Sequence, residues 1–240
     1  MNLFLSDIKL FNEKLDNLPN KKLLINTINA HCYNISQKDY EYMKALYASD
    51  VLLPDGVSVV LALQLLKNKR LTKIAGADLF FYEMERLNQT NGKCFFLGST
   101  ESTLQKIRIR IAKEYPRIKV ESYSPPFKKE FSEEDNKIML EMINAFNPDA
   151  LMVGMTAPKQ EKWAYKHYEL LNVGHICCIG AVFDFYAGNI NRAPKWMINL
   201  GLEWFYRLIR EPARMWRRYI LGNLIFIYYI FKEITGSRKP

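Results

Sequence analysis

Cysteine is scarce. Cys32, Cys94, Cys177 and Cys178 are the only four in 240 residues, and no two form a C-x-x-C pair. Sequence neighbours such as Cys177 and Cys178 rarely bridge each other, so four buried, reduced thiols in a cytosolic protein are expected. Histidine is scarcer still, with three copies and none at ligand spacing from a cysteine pair, which argues against zinc. No Asp-x-Asp occurs, and Glu133-Glu134-Asp135 reads as the solvated start of a helix. The several oxygen ligands of a hard cation are therefore not assembled, and no metal site is expected. G-x-G-x-x-G and G-x-x-x-x-G-K-[ST] are both missing, which weighs against a dinucleotide oxidoreductase and a P-loop enzyme. No apolar run reaches the ~18 residues of a spanning helix, and no basic-then-apolar leader opens the chain. Internal repeats and low-complexity segments are lacking too.

What is present describes a folded α/β protein. Apolar residues make up 49% of the chain and charged residues 25%, enough for a packed core in one large domain or one domain plus an appendage. The net charge of +9 points to an anionic partner, and the excess is uneven: after residue 200 there are eight basic residues against three acidic ones.

Strands are expected at 23–29, 51–56, 93–97, 119–123, 150–153 and 175–179. Helices are expected from a Ser36 cap to about residue 49, over 57–67, from 78 to about 91, over 101–115 and 133–146, and from 159. The 57–67 segment is almost wholly apolar and reads as a buried helix, and 180–192 reads as a loop. This alternation implies a mainly parallel, Rossmann-like α/β sheet with helices on both faces over residues 1–193. From Pro194 the pattern turns to continuous helix, broken at Gly201 and Pro212, so 194–240 reads as a helical appendage.

In such sheets ligands bind beyond the carboxyl ends of the strands. Thr27 and Asn29 end the first strand and Asp55 ends the second, a hydroxyl, an amide and a carboxylate in one crevice. Asp55 lies in Pro54-Asp55-Gly56, which is equally a common turn. His31 is a second candidate base. Gly98-Ser99-Thr100, Gly154-Met155-Thr156 and the loop after Gly180 lead strands into helices, where free N–H groups suit a diphosphate, although every βα fold needs such turns. In the appendage, Arg207, Arg210, Arg214 and Arg217 are spaced for one face if the helices run on. Trp204, Tyr206, Trp216 and Tyr219 lie among them, and the apolar run 220–231 follows. Basic and aromatic residues beside a short apolar helix describe an interfacial membrane element; a core helix or an oligomer contact is the alternative. The apolar run argues against nucleic acid.

Together these residues resemble the WecG/TagA/CpsF glycosyltransferase family (glycosyltransferase family 26) over about residues 22–219. The carrying motifs are Thr27-Ile28-Asn29, Pro54-Asp55-Gly56, Gly76-Ala77-Asp78-Leu79, Phe95-Phe96-Leu97-Gly98, Ala157-Pro158-Lys159-Gln160-Glu161-Lys162-Trp163, Gly180-Ala181-Val182-Phe183-Asp184, Arg192-Ala193-Pro194-Lys195-Trp196, and Gly201-Leu202-Glu203-Trp204-Phe205-Tyr206-Arg207-Leu208 with Glu211-Pro212-Ala213-Arg214. The resemblance implies an inverting, metal- and cofactor-independent transfer of a hexose from a UDP-sugar to an undecaprenyl-diphosphate-linked sugar. Its setting would be bacterial surface-polysaccharide synthesis, with the protein peripheral on the inner face of the cell membrane. N-acetylmannosamine, its uronic acid and glucose all remain open as the sugar. The resemblance makes Asp55 the general base, places Thr27 and Asn29 in its pocket, and puts Gln160 and Asp184 at the nucleotide. It also aims Arg207, Arg214 and Arg217 at the lipid diphosphate. Lys73 stands where the family commonly has Arg, which turns a two-pronged phosphate grip into a point charge. Pro125-Pro126-Phe127 replaces a Gly followed by an aromatic, which stiffens the loop expected to stack the base on Phe127. The rival reading is a non-catalytic, membrane-associated scaffold of a polysaccharide assembly complex. Self-association is left open.

Overall fold

A computed structural model describes residues 4–236. Arg238 and Lys239 of the basic tail lie outside the described residues. One sheet is built from β1 (Leu23–Ile28), β2 (Val51–Pro54), β3 (Lys93–Gly98), β4 (Lys119–Tyr123), β5 (Ala150–Gly154) and β6 (His175–Cys178). Its order is β2-β1-β6-β5-β3-β4, and every pairing is parallel, as the alternation of elements implies.

Successive strand residues point to opposite faces, and the clusters follow that parity. Ile25, Phe96, Met152 and Cys177 pack under α4 (Gly76–Thr90), α5 (Glu101–Glu114) and α8 (Ala181–Tyr186). Leu24, Phe95, Leu151 and Cys178 pack under α6 (Glu133–Phe146) and α7 (Lys159–Lys166) on the other face. Further along that face, Ile28 and Leu52 meet α1 (Ala30–Ser36), α2 (Tyr40–Tyr47) and α3 (Val57–Lys67). Cys177 and Cys178 thus belong to opposite layers, and all four cysteines are buried and free.

Three local expectations change. The helix expected from a Ser36 cap begins later, as α2, and α1 forms ahead of it within residues read as the strand end and turn. Asn29 caps α1 by accepting from Cys32 N–H at 3.1 Å, and Asp39 caps α2 by accepting from Tyr42 N–H at 3.0 Å. The Ser36 hydroxyl instead donates back to the Tyr33 carbonyl, so it ends a helix where a cap was expected. Second, the segment after Gly180 is not all loop: α8 forms there, with Val182 and Phe183 in the core. Third, α3 is only half-buried: Val59, Ala62 and Leu63 face inward while Leu61 and Leu65 face out.

The tail comprises α9 (Lys195–Asn199), α10 (Glu203–Arg210), α11 (Pro212–Trp216), a π-helical turn (Arg217–Leu221) and α12 (Gly222–Ile234). The backbone leaves helical geometry at Glu211 (φ −132°, ψ 58°), because a residue before proline is pushed out of the α region. The arginines therefore do not share one continuous helix. α12 is seated on the body: Phe226 and Ile230 join the α1–α3 core, and Tyr33 meets Phe226 edge-on at 5.4 Å. The Glu233 carboxylate accepts from Leu5 N–H at 2.9 Å and Ser6 N–H at 2.8 Å.

Candidate active site

Parallel pairing sets the site. Thr27 lies opposite Leu53 and Ile28 opposite Pro54, so β1 and β2 end together. The Asp55 N–H then donates to the Ile28 carbonyl at 2.9 Å, which holds the carboxylate-bearing residue beside Asn29. Gly56 completes the turn with φ +150°, a conformation that side chains disfavour, and a Cβ there would come within 3.3 Å of Asn29 Cβ. Thr27, Asn29 and Asp55 are thus brought together, and Thr27 is buried.

Asp55 sits in a charged recess. Burial pushes its carboxyl up to about 6, and the Glu203 and Asp78 carboxylates add to the rise. Lys73 and a hydrogen bond from Gly76 N–H oppose it. Lys73 Nζ lies 3.9 Å from Glu203. Arg192 lies 3.5 Å from Glu203 and 3.8 Å from Asp78, while Asp78 itself accepts from Ala75 N–H at 2.8 Å. Two cations and three carboxylates therefore converge at this end of the sheet. Arg192 and Glu203 were not singled out from sequence, although both stand in the motifs that carry the resemblance; each comes from a segment far along the chain.

His31 follows Asn29 on the first turn of α1. Burial, with the Arg218 guanidinium close by, drives its imidazole down to about 4. Arg218 is a third residue not singled out from sequence. It lies in the π-helical turn, and one helical turn further on Asn34 Nδ2 donates to the Gly222 carbonyl at 2.7 Å, which aligns α1 with this stretch. The Arg207 guanidinium lies 5.4 Å from the Phe185 ring, beside Asp184. The Nε atoms of Arg207 and Arg218 are buried with no hydrogen-bond partner among the described residues. Arg214 and Arg217, by contrast, are exposed; Arg214 pairs with Glu211 at 2.8 Å and Arg217 covers the Trp216 ring.

The remaining candidates lie along the carboxyl edge. Gln160, on α7 after β5, is buried. Its Oε1 accepts from Gly180 N–H at 3.1 Å and its Nε2 donates to Glu161 at 2.8 Å, so its amide braces the turn after β6. Gly180 has no room for a Cβ, which would strike Met155 O and the Gln160 amide. Burial pushes the Glu161 carboxyl up to about 7. Asp184, on α8, accepts from Asn189 at 3.2 Å. Phe127 is fully exposed on the loop after β4, at the sheet edge opposite Asp55. Five strand spacings separate those edges, roughly 24 Å. Among the described residues no group of three or more His, Cys, Asp or Glu is placed to hold a metal ion.

A parallel α/β sheet with a perturbed carboxylate and facing cations over its carboxyl edge is the architecture of an enzyme that works in that crevice. The model of the glycosyl transferase WecG/TagA/CpsF family matches residues 6–240. The chain belongs to that family and is a glycosyltransferase. It is 34% identical over 195 residues to an N-acetylglucosaminyldiphosphoundecaprenol N-acetyl-beta-D-mannosaminyltransferase of Bacillus subtilis (strain 168), covering 81% of this chain and 74% of the relative. A protein of the same name from Bacillus spizizenii is 31% identical over 221 residues, covering 92% and 83%. Another, from Staphylococcus aureus (strain MW2), is 26% identical over 227 residues, covering 93% and 85%.

Proposed function

We propose that this glycosyltransferase moves N-acetylmannosamine from its UDP-linked form to N-acetylglucosamine carried on undecaprenyl diphosphate, in cell-wall polysaccharide synthesis. The sugar, open in the sequence, is narrowed by the names of the relatives. The observation that carries the chemistry is Asp55, a carboxylate raised to about 6 beside Thr27 and Asn29, with Lys73 acting on it and Arg192 paired to the neighbouring Glu203.

In this reading Asp55 takes the proton of the acceptor hydroxyl as that oxygen attacks the anomeric carbon. The bond to UDP breaks on the opposite face, and UDP leaves with the electron pair. An α-linked donor gives a β product, in keeping with the relatives' names. Lys73 and Arg192 offset the growing charge on the leaving diphosphate, the electrostatic help usually worth most in such reactions. Asp55 outranks His31 as the base because a group titrating near 6 is a stronger acceptor at neutral pH than one near 4. Gln160 and Asp184 serve the nucleotide. Arg207 and Arg218, with Arg214 and Arg217 outside them, meet the acceptor diphosphate as the enzyme rests on the inner face of the membrane. No helix among the described residues is long and apolar enough to cross it.

Asp55→Asn should lower turnover by about 10²–10⁴-fold while UDP-sugar binding, measured by calorimetry, stays within a few-fold. His31→Gln should stay within tenfold of wild type. Turnover of Asp55→Asn near that of wild type would sink the assignment. The substrate is tested by offering a panel of UDP-sugars with a synthetic polyprenyl-diphosphate N-acetylglucosamine and weighing the products. Addition of an unmodified hexose and no N-acetylhexosamine would overturn the donor.

A further inference from the structure

From Val57 to Leu66 helix α3 carries no charged residue, and Ser58 and Gln64 are its only polar ones. A helix apolar all round is normally buried on every side. This one is not: Leu61 is 58% exposed and Leu65 is 69% exposed. With Val57 they recur every four residues, so they form one outward stripe. The stripe continues onto the tail. A Cβ at Gly201 would strike the Val57 side chain, which sets the α9–α10 turn against the first turn of α3. That turn presents Leu200, 68% exposed, and α9 before it presents Trp196, 61% exposed. At the far end stand Lys67, Lys69 and Arg70, all exposed, and none is in an ion pair among the described residues. The helix begins directly after Asp55-Gly56.

We infer that α3 is a second membrane-docking element: its apolar stripe enters the interface while Lys67, Lys69 and Arg70 meet anionic lipid headgroups. Apolar residues on one side and basic residues at the rim are the chemistry of an interfacial helix. A second copy of the chain fits less well, because a chain of net charge +9 opposes its own approach whereas anionic lipid attracts the basic rim. Docking through α3 as well as the tail brings the mouth beside Asp55 down to the bilayer, where a lipid-borne acceptor presents its sugar. The inference rests on the membrane-surface reading above and extends it to residues outside the tail.

Full-length protein would be floated with vesicles of phosphatidylcholine alone or with one-third phosphatidylglycerol. Wild type should bind the anionic vesicles. Leu61→Gln/Leu65→Gln and Lys67→Gln/Lys69→Gln/Arg70→Gln should each weaken that binding at least tenfold, with unchanged circular dichroism and unchanged turnover of a short-chain, water-soluble acceptor. As a separate check, Leu61→Trp should show a blue-shifted emission quenched by spin-labelled lipid. Variants that bind like wild type, with an unquenched Trp at 61, would overturn the role of α3 and leave the membrane reading intact. No vesicle binding by wild type would overturn the membrane reading itself. A concentration-dependent dimer lost only in the Leu61/Leu65 variant would assign the stripe to a second copy instead.

Discussion

Asp55 is ionised at neutral pH against the preference of its surroundings. Its ordinary value is near 4, and burial with Glu203 and Asp78 lifts it to about 6. A carboxyl raised in the fold contributes stability that is complete below its unfolded value and lost as pH rises through its folded value. At pH 7 that loss is in force, so Asp55→Asn should be more stable than wild type by up to about 3 kcal/mol, and the difference should vanish below about pH 4. Denaturant melts across that range check it. The base must be unprotonated, so turnover should rise with pH through about 6 and level off above it, and the limb should persist in His31→Gln. Gln160 works differently. Gln160→Ala would orphan the Gly180 N–H and a buried carboxyl, at about 1–3 kcal/mol, with donor affinity falling alongside; thermal melts and UDP calorimetry read the two. Thr27, Asn29 and Asp55 were legible in the sequence because adjacent parallel strands must end side by side. Arg192, Glu203 and Arg218 were not, because only the fold brings residues from the tail and its approach back over the first two strands.

At the scale of elements, the sheet strands were legible to within a residue or two, since six short apolar segments alternate with amphipathic ones. The misses have physical causes. α1 is seven residues long and carries little helical periodicity, and its cap, Asn29, is also a candidate pocket residue. α3 lacks a polar face, so periodicity could not tell inside from outside. α12 bears on stability as well as on membranes. Phe226 is 3% exposed and packs on Tyr33, so Phe226→Ala should cost about 3–5 kcal/mol, seen as a lowered melting temperature without any lipid present. Removing everything after residue 200 should therefore unfold part of the body. Lost activity in such a truncation would not report on membrane binding, whereas exchanges at exposed positions would.

Across the whole molecule, strand order spreads the candidate site along one edge: Asp55 after β2, Asn29 and His31 after β1, Asp184 after β6, Gln160 after β5 and Phe127 after β4. The cations at this end of the sheet are side chains, Lys73 and Arg192, both held by Glu203. Turnover should therefore survive excess EDTA within two-fold, and a loss restored by Mg²⁺ or Mn²⁺ would contradict the proposed chemistry. The π-helical turn at Arg217–Leu221 is followed without a break by α12. A π turn amounts to one surplus residue in an α-helix, and one residue is worth ~100° of rotation. Deleting a single residue there would restore regular winding and leave the phase downstream nearly as it is, because the wider turn already absorbs the surplus residue. Phe226 and Ile230 would keep their seat on the body. The same deletion made in the regular winding between Gly222 and Phe226 would instead turn both side chains ~100° away from it and bring part of the outward face of the last helix against the body.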